Sequence, residues 1–265
     1  MTRKPSRTRP KAKGAVSGAG GAIGTEAAAR SANDGYTFLL TPGGPLTVLP
    51  HLRKVGYDPR KDFSSIGRIA TAPNTLVVHP SFPAQSMTEL VAQAKARPGQ
   101  ISYASAGFGT TNHLAFELFK TQTGTDFVHV PYRGNPLAMI DVIAGQVPVF
   151  FDFVLTGAPH VKSGAVRALA TTGAQRSGVL PDVPTAMEAG IKDFEASTWF
   201  AFYAPAGTPK DLVEKINAEI AAVLGEKSGH ARSAFSQRQL PADAAVILVV
   251  ISAALAGGGL PNPSA

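Results

Sequence analysis

The sequence predicts an α/β fold on three observations. Short apolar runs alternate with amphipathic helical runs across residues 35 to 224, glycine and proline turns punctuate them, and a hydrophobic content of 44% supplies a substantial core. The first strand is GYTFLLTP, residues 35 to 42, an apolar run that ends in a proline-glycine turn. FSSIGRIATAPNTLVVHP, residues 63 to 80, reads as two further strands separated at Ala-Pro-Asn. SMTELVAQAKARPG follows as a helix, with Ser86 as its cap, Leu90, Val91 and Ala94 on its apolar face, and Pro98-Gly99 as its stop. QISYASA returns to a strand.

The alternation continues with a helix over 111 to 122, a strand over 126 to 130, a helix over 136 to 144 and a strand over 147 to 153. A helix or turn at 157 to 163 precedes the strand VRALATTG. STWFAFYAPAG, residues 197 to 207, is strongly strand-like and places Trp199 in a buried strand; Pro209 then opens a helix over 209 to 224 behind a Thr208 cap. Ligand loops are expected at the carboxyl ends of the strands.

Composition narrows the function. The formal charge of +7 is concentrated in MTRKPSRTRPKAK, a basic stretch without an acidic residue, so residues 1 to 13 are expected to be a disordered tail and no nucleic-acid face is expected on the body. The absence of cysteine excludes disulfides, thiol catalysis and thiolate metal sites. AKGAVSGAGGAIG is too small and glycine-rich for a secretory apolar region, and the apolar run Val246 to Leu255 is too short to span a bilayer, which favours a buried segment or an aberrant tail. His79, His113 and His129 lack the spacing of a His-Glu-x-x-His metal site, so no metal or cofactor is expected.

The turn with the most chemistry is SAGFGTT, residues 105 to 111. Gly107 and Gly109 permit positive φ, Thr110 or Thr111 caps a helix whose apolar face reads as Leu114, Ala115, Leu118 and Phe119, and the uncapped amides favour an anion. It carries neither a Walker Gly-Lys-Ser/Thr ending nor a complete G-x-G-x-x-G. A small carboxylate suits neutral donors of this kind, and a simple structural cap fits the turn equally well.

NDGYTFLL, YASAGFGTTNHLAFELF, VHVPYRGNPLAMIDVIAGQVPVFFD, VRALATTGAQRSGVLPDVPTAMEAG and WFAFYAPAGTP resemble, in one continuous order over residues 18 to 224, the tripartite tricarboxylate transporter substrate-binding family, the Bug receptors. The resemblance implies a bilobed periplasmic-binding-protein fold of the type II, Venus-flytrap kind. Such a protein, expected to be monomeric, would close on a small organic carboxylate and deliver it to membrane transporter subunits. It also implies a periplasmic location, whereas the chain's own start shows no export signal and would suit the cytoplasm. The lobes are expected at 14–104 with 197–265, and at 105–196. The first lobe is expected to be incomplete, because MTRKPSRTRPKAK does not match the family's upstream strand and ligand loop; a truncated, non-binding remnant is thus an alternative.

On this reading Thr41, Gly43 and Gly44 of the TPGG turn form one ligand wall, and Ser105, Gly107, Gly109, Thr110 and Thr111 the other. Tyr132 and Arg133 join them from the next turn, Arg133 alternatively serving as a surface ion pair. His113 and Asp152 are expected in supporting roles. Ser105, His113 and Asp152 are also the residue types of a hydrolase triad acting on a small ester or amide, but no G-x-S-x-G elbow accompanies them, so the receptor reading is preferred to an enzyme.

Overall fold

The computed structural model describes residues 18–224 and 250–251. The expected basic tail at 1–13 and most of the Val246 to Leu255 run lie outside them. The described chain forms one eight-stranded mixed sheet in the order β4-β3-β5-β2-β7-β1-β8, with β6 also paired to β2. Its strands are β1 (Leu39–Pro42), β2 (Phe63–Val78), β3 (Ser102–Ser105), β4 (Val128–Pro131), β5 (Val149–Phe153), β6 (Arg167–Thr171), β7 (Ser197–Pro205) and β8 (Val250–Ile251). The helices are α1 (Ala22–Ala29), α2 (Gly44–Thr47), α3 (Leu49–Leu52), α4 (Met87–Ala96), α5 (Thr111–Thr123), α6 (Asn135–Ile143), α7 (Val154–Lys162) and α8 (Lys210–Val223).

Two half-sheets share β2. Its first part, Phe63 to Pro73, runs antiparallel to β7, which in turn pairs with β1. From Asn74 to Val78 the same strand pairs with β5 on one edge and β6 on the other. The 63–80 stretch is therefore one 16-residue strand and not two. Pro73 does not end it, because the strand changes partners at that point instead of turning, and register shifts at Ser65/Gly67 and Arg68/Ala70 bend it on the way. The change of partners along β2 falls at Pro73–Asn74, and β3 is hydrogen-bonded between β4 and β5.

Helices cover both faces of the second half. On one, α4 and α5 bury Leu90, Phe116 and Phe119 with Tyr103, Phe127, Phe151 and Phe194. Phe116 stacks flat on Tyr103 at 3.8 Å between ring centroids and meets Phe119, Phe127 and Phe151 edge-on. The buried face of α5 is Asn112, Ala115, Phe116 and Phe119, and Leu118, expected on that face, is turned outward. On the other face, α6 packs Ala138, Met139 and Val142 against Phe150. The first half buries Phe38, Leu40, Phe200 and Phe202 with Ile220 of α8, joined by Phe153 from the end of β5. The outer edge of β1 is paired in parallel with Val250–Ile251, part of the C-terminal apolar run.

A buried polar knot fixes the crossing. The Asn74 amide N–H donates to Thr172 Oγ1 at 2.8 Å and its Nδ2 donates to the Ala196 carbonyl at 3.0 Å, while Thr172 N–H donates back to the Asn74 carbonyl at 2.9 Å. Three segments that pass between the half-sheets are thereby tied at one point. Asn74→Ala removes one of the two side-chain donors to the Ala196 carbonyl, the other being Thr172 Oγ1, and should cost about 1 kcal/mol in urea unfolding.

Candidate functional site

A cleft opens where the two half-sheets face each other. From the first half come Gly18, Gly20 and Gly21, then Pro42, Gly44 and Pro45. From the second come Ala106, the α5 start Thr110–Thr111–Asn112, the α6 start Arg133–Gly134–Asn135, and Phe153. Glycine makes the first wall possible: Gly18, Gly20 and Gly21 all have φ between 64° and 123°, a region that residues with a Cβ rarely occupy. Arg53 donates from Nη2 to the Ala19 carbonyl, and the Tyr57 hydroxyl donates to the Pro45 carbonyl at 2.5 Å, so both turns are held from behind. Burial pushes the Tyr57 phenol up to about 12, which keeps it a donor at any physiological pH.

The walls meet backbone to backbone at the mouth. A Cβ on Gly20 would stand 2.8 Å from the Phe108 carbonyl oxygen, and one on Gly44 would stand 2.8 Å from that of Gly109. The contact between the walls thus depends on glycine at both positions.

The lining is neutral apart from Arg133, which is exposed and absent from the ion pairs among the described residues. Neither α5 nor α6 has a side-chain hydrogen bond at its N-cap, so their first-turn amides face the cleft region without that competitor. With the positive ends of α1, α5 and α6 nearby, the site favours negative charge.

Four of the residues expected from the sequence line this cleft: Gly44, Thr110, Thr111 and Arg133. The others stand behind it. Thr41 is fully buried and donates to the Pro42 carbonyl. Gly43 lies flat under the Trp199 indole, where a Cβ would come within 2.7 Å of the ring. Ser105 Oγ accepts from the Gly107 amide at 3.0 Å and pairs with His129 Nε2 at 2.6 Å. Gly107 and Gly109, at φ 119° and 74°, shape the turn, and Thr110 Oγ1 donates to the Gly107 carbonyl. The Tyr132 hydroxyl donates to Asp141 Oδ2 at 2.7 Å, which draws it onto α6. His113 Nδ1 accepts from the Gly109 amide at 3.4 Å. Asp152 is buried under α6 and accepts from Asn135 Nδ2 and from Thr156 Oγ1. Ser105, His113 and Asp152 therefore form no triad: the serine's partner is His129, and the aspartate's are Asn135 and Thr156.

Sequence reading did not place the Gly18–Gly21 turn, Asn112, Asn135 or Phe153 at the cleft, which they line. The four-residue run Gly-Ala-Gly-Gly before a helix was the available signal for the first. Asn135, after Arg-Gly at a helix start, carried a comparable one.

The chain belongs to the Tripartite tricarboxylate transporter family receptor family, which it matches over residues 14–227. It is 38% identical over 213 residues to protein BugT of Bordetella pertussis, covering 80% of this chain and 65% of BugT. Two Rhodopseudomonas palustris structures superpose on it with TM-scores of 0.74: Rpa4515 with adipate, at 37% identity over 78% of this chain and 70% of that one, and MatC with bound malate, at 30% over 79% and 72%. The chain spans less than two thirds of the length of the first curated relatives it matches. The fold is that of periplasmic binding proteins.

Two predictions follow from this geometry. Gly44→Ala should hold the walls apart through its clash with the Gly109 carbonyl, weakening ligand binding about tenfold or more with little change in melting temperature, since its φ is ordinary. The second concerns pH. Burial, then the neighbouring His113, hold the His129 imidazole at about 4, below its usual 6.5. The folded chain thus keeps His129 neutral while the unfolded chain takes up the proton, so this contribution to stability is present above pH 6.5 and is lost as pH falls from 6.5 toward 4. Asp152, raised to about 6 by burial, acts in the opposite sense, gaining stability as pH falls through that value. The urea midpoint of the wild type should therefore drop more steeply over this window than that of His129→Gln, in which the Asp152 effect is retained.

Proposed function

We propose that this chain is an extracytoplasmic receptor that closes its two lobes on a small organic carboxylate and hands it to a tripartite tricarboxylate-type membrane transporter. The observation that carries the reading is the lining of the cleft: glycine turns and helix starts from both half-sheets, with Arg133 as the one charged side chain. Neutral amides and one guanidinium bind a carboxylate through several charge-assisted hydrogen bonds, and exert no comparable pull on an uncharged amide. The adipate and malate in the two R. palustris relatives support a carboxylate of four to six carbons.

The lobes in this account are residues 18–73 with 197–224, and residues 74–196. Closure pivots about β2, β7 and the Asn74 knot, and the receptor acts as a monomer. Trp199 lies against Gly43, next to the wall formed by Gly44, so its indole reports closure. A hydrolase draws no support from the site, because Ser105 is fully buried and paired with a histidine whose other nitrogen has no partner to orient it.

Isothermal calorimetry against organic acids tests the proposal. A preferred acid should bind saturably, be recovered unchanged after denaturation, and bind at least about tenfold more tightly than its amide or methyl ester. Equal affinity for the acid and its amide would overturn the carboxylate reading; recovery of a hydrolysed ester would overturn the receptor.

A further inference from the structure

Asn135 lines the cleft at the start of α6 and is 2% exposed. Its Nδ2 donates to Asp152 Oδ1, and its Oδ1 is buried without a partner. The orientation of the amide is fixed from below: an ionised carboxylate only accepts, its other oxygen is already taken by Thr156 Oγ1 at 2.8 Å, and a flipped amide would set oxygen against oxygen. The atom left over is an acceptor. A buried, unpaired carbonyl in a binding cleft is costly, and that cost is recovered only when something donates to it.

We propose that Asn135 Oδ1 selects for a hydrogen-bond donor on the ligand, so that the site takes hydroxy- or amino-substituted carboxylates in preference to the unsubstituted acids of the same length. This rests on the receptor reading and adds to it. The carboxylate is held by the helix starts and Arg133, and the substituent donates to Asn135. Asp152 is a positioning residue here, since it touches the amide and not the ligand.

Calorimetry on matched pairs tests this: succinate against malate, glutarate against 2-hydroxyglutarate, adipate against 2-hydroxyadipate, together with the 2-amino counterparts. At least one substituted acid should bind about tenfold or more tightly than its unsubstituted partner, the range for one hydrogen bond to a buried acceptor. In Asn135→Ala that ratio should fall toward one. Asp152→Asn should do the same by another route, because the new amide can donate to Oδ1 once the Asn135 amide turns over, which presents Nδ2 in place of the acceptor while keeping the shape; it also guards against a fold defect in the first variant. Equal affinities within every pair, or a ratio that survives both substitutions, would overturn the proposal while leaving the receptor intact. If no acid of either kind binds, the receptor reading fails and takes this inference with it.

Discussion

Backbone hydrogen bonding along β2 is the constraint on which the molecule depends. One strand satisfies β7 over its first eleven positions, Phe63 to Pro73, and β5 and β6 over the next five, Asn74 to Val78. A strand can serve two half-sheets only if the chain bends where the partners change, and the two register shifts and Pro73 supply that bend. The cleft exists because the bend leaves the ends of β1, β3 and β5 facing one another across a gap. Asn74, Thr172 and Ala196 tie the crossing together with buried hydrogen bonds, so the point where the partners change is fixed in place.

What meets above the crossing is mostly main chain. The Phe108 carbonyl against Gly20 and the Gly109 carbonyl against Gly44 come so close that neither glycine has room for a Cβ. Side chains serve chiefly to aim this backbone. Arg53 and Tyr57 hold the turns of the first half, Ser105 and His129 hold the turn before α5, and Asp152 holds Asn135. A site built this way can bind an anion without a cluster of lysines, because fixed amide dipoles and helix ends supply the positive potential.

The elements themselves were legible in the sequence, since periodicity and caps are local: Ser86 accepts from the Glu89 amide as the capping pattern implied, and strand and helix positions agree through α5, α6 and β7. Local signals failed where tertiary context decided. Residues 63 to 80 read as two strands, yet Pro73 continues β2 because new partners take over there. Phe116 displaced Leu118 from the buried face because the aromatic cluster around Tyr103 and Phe151 selects a ring. Residue type located turns that border the cleft, but not which of their residues line it. Thr41, Ser105 and Asp152 have the chemistry of ligand contacts and are used to brace loops, while glycines at Gly18 to Gly21, with no side chain to advertise them, form a wall. Which side of a turn faces a cleft is set by the packing of the other half-sheet, and no single segment encodes it.

The central claim is that two lobes close about the β2 crossing when a carboxylate enters. The chain has no cysteine, so cysteines placed at exposed Tyr36 and Gln122, one in each half, can carry spin labels without background. Pulsed electron-resonance distances between them, taken with and without a saturating dicarboxylate, read the closure directly. The account predicts a broad distribution without ligand that narrows and moves to a distinct value when the acid is added. Identical distributions in the two conditions, for an acid shown to bind, would contradict it.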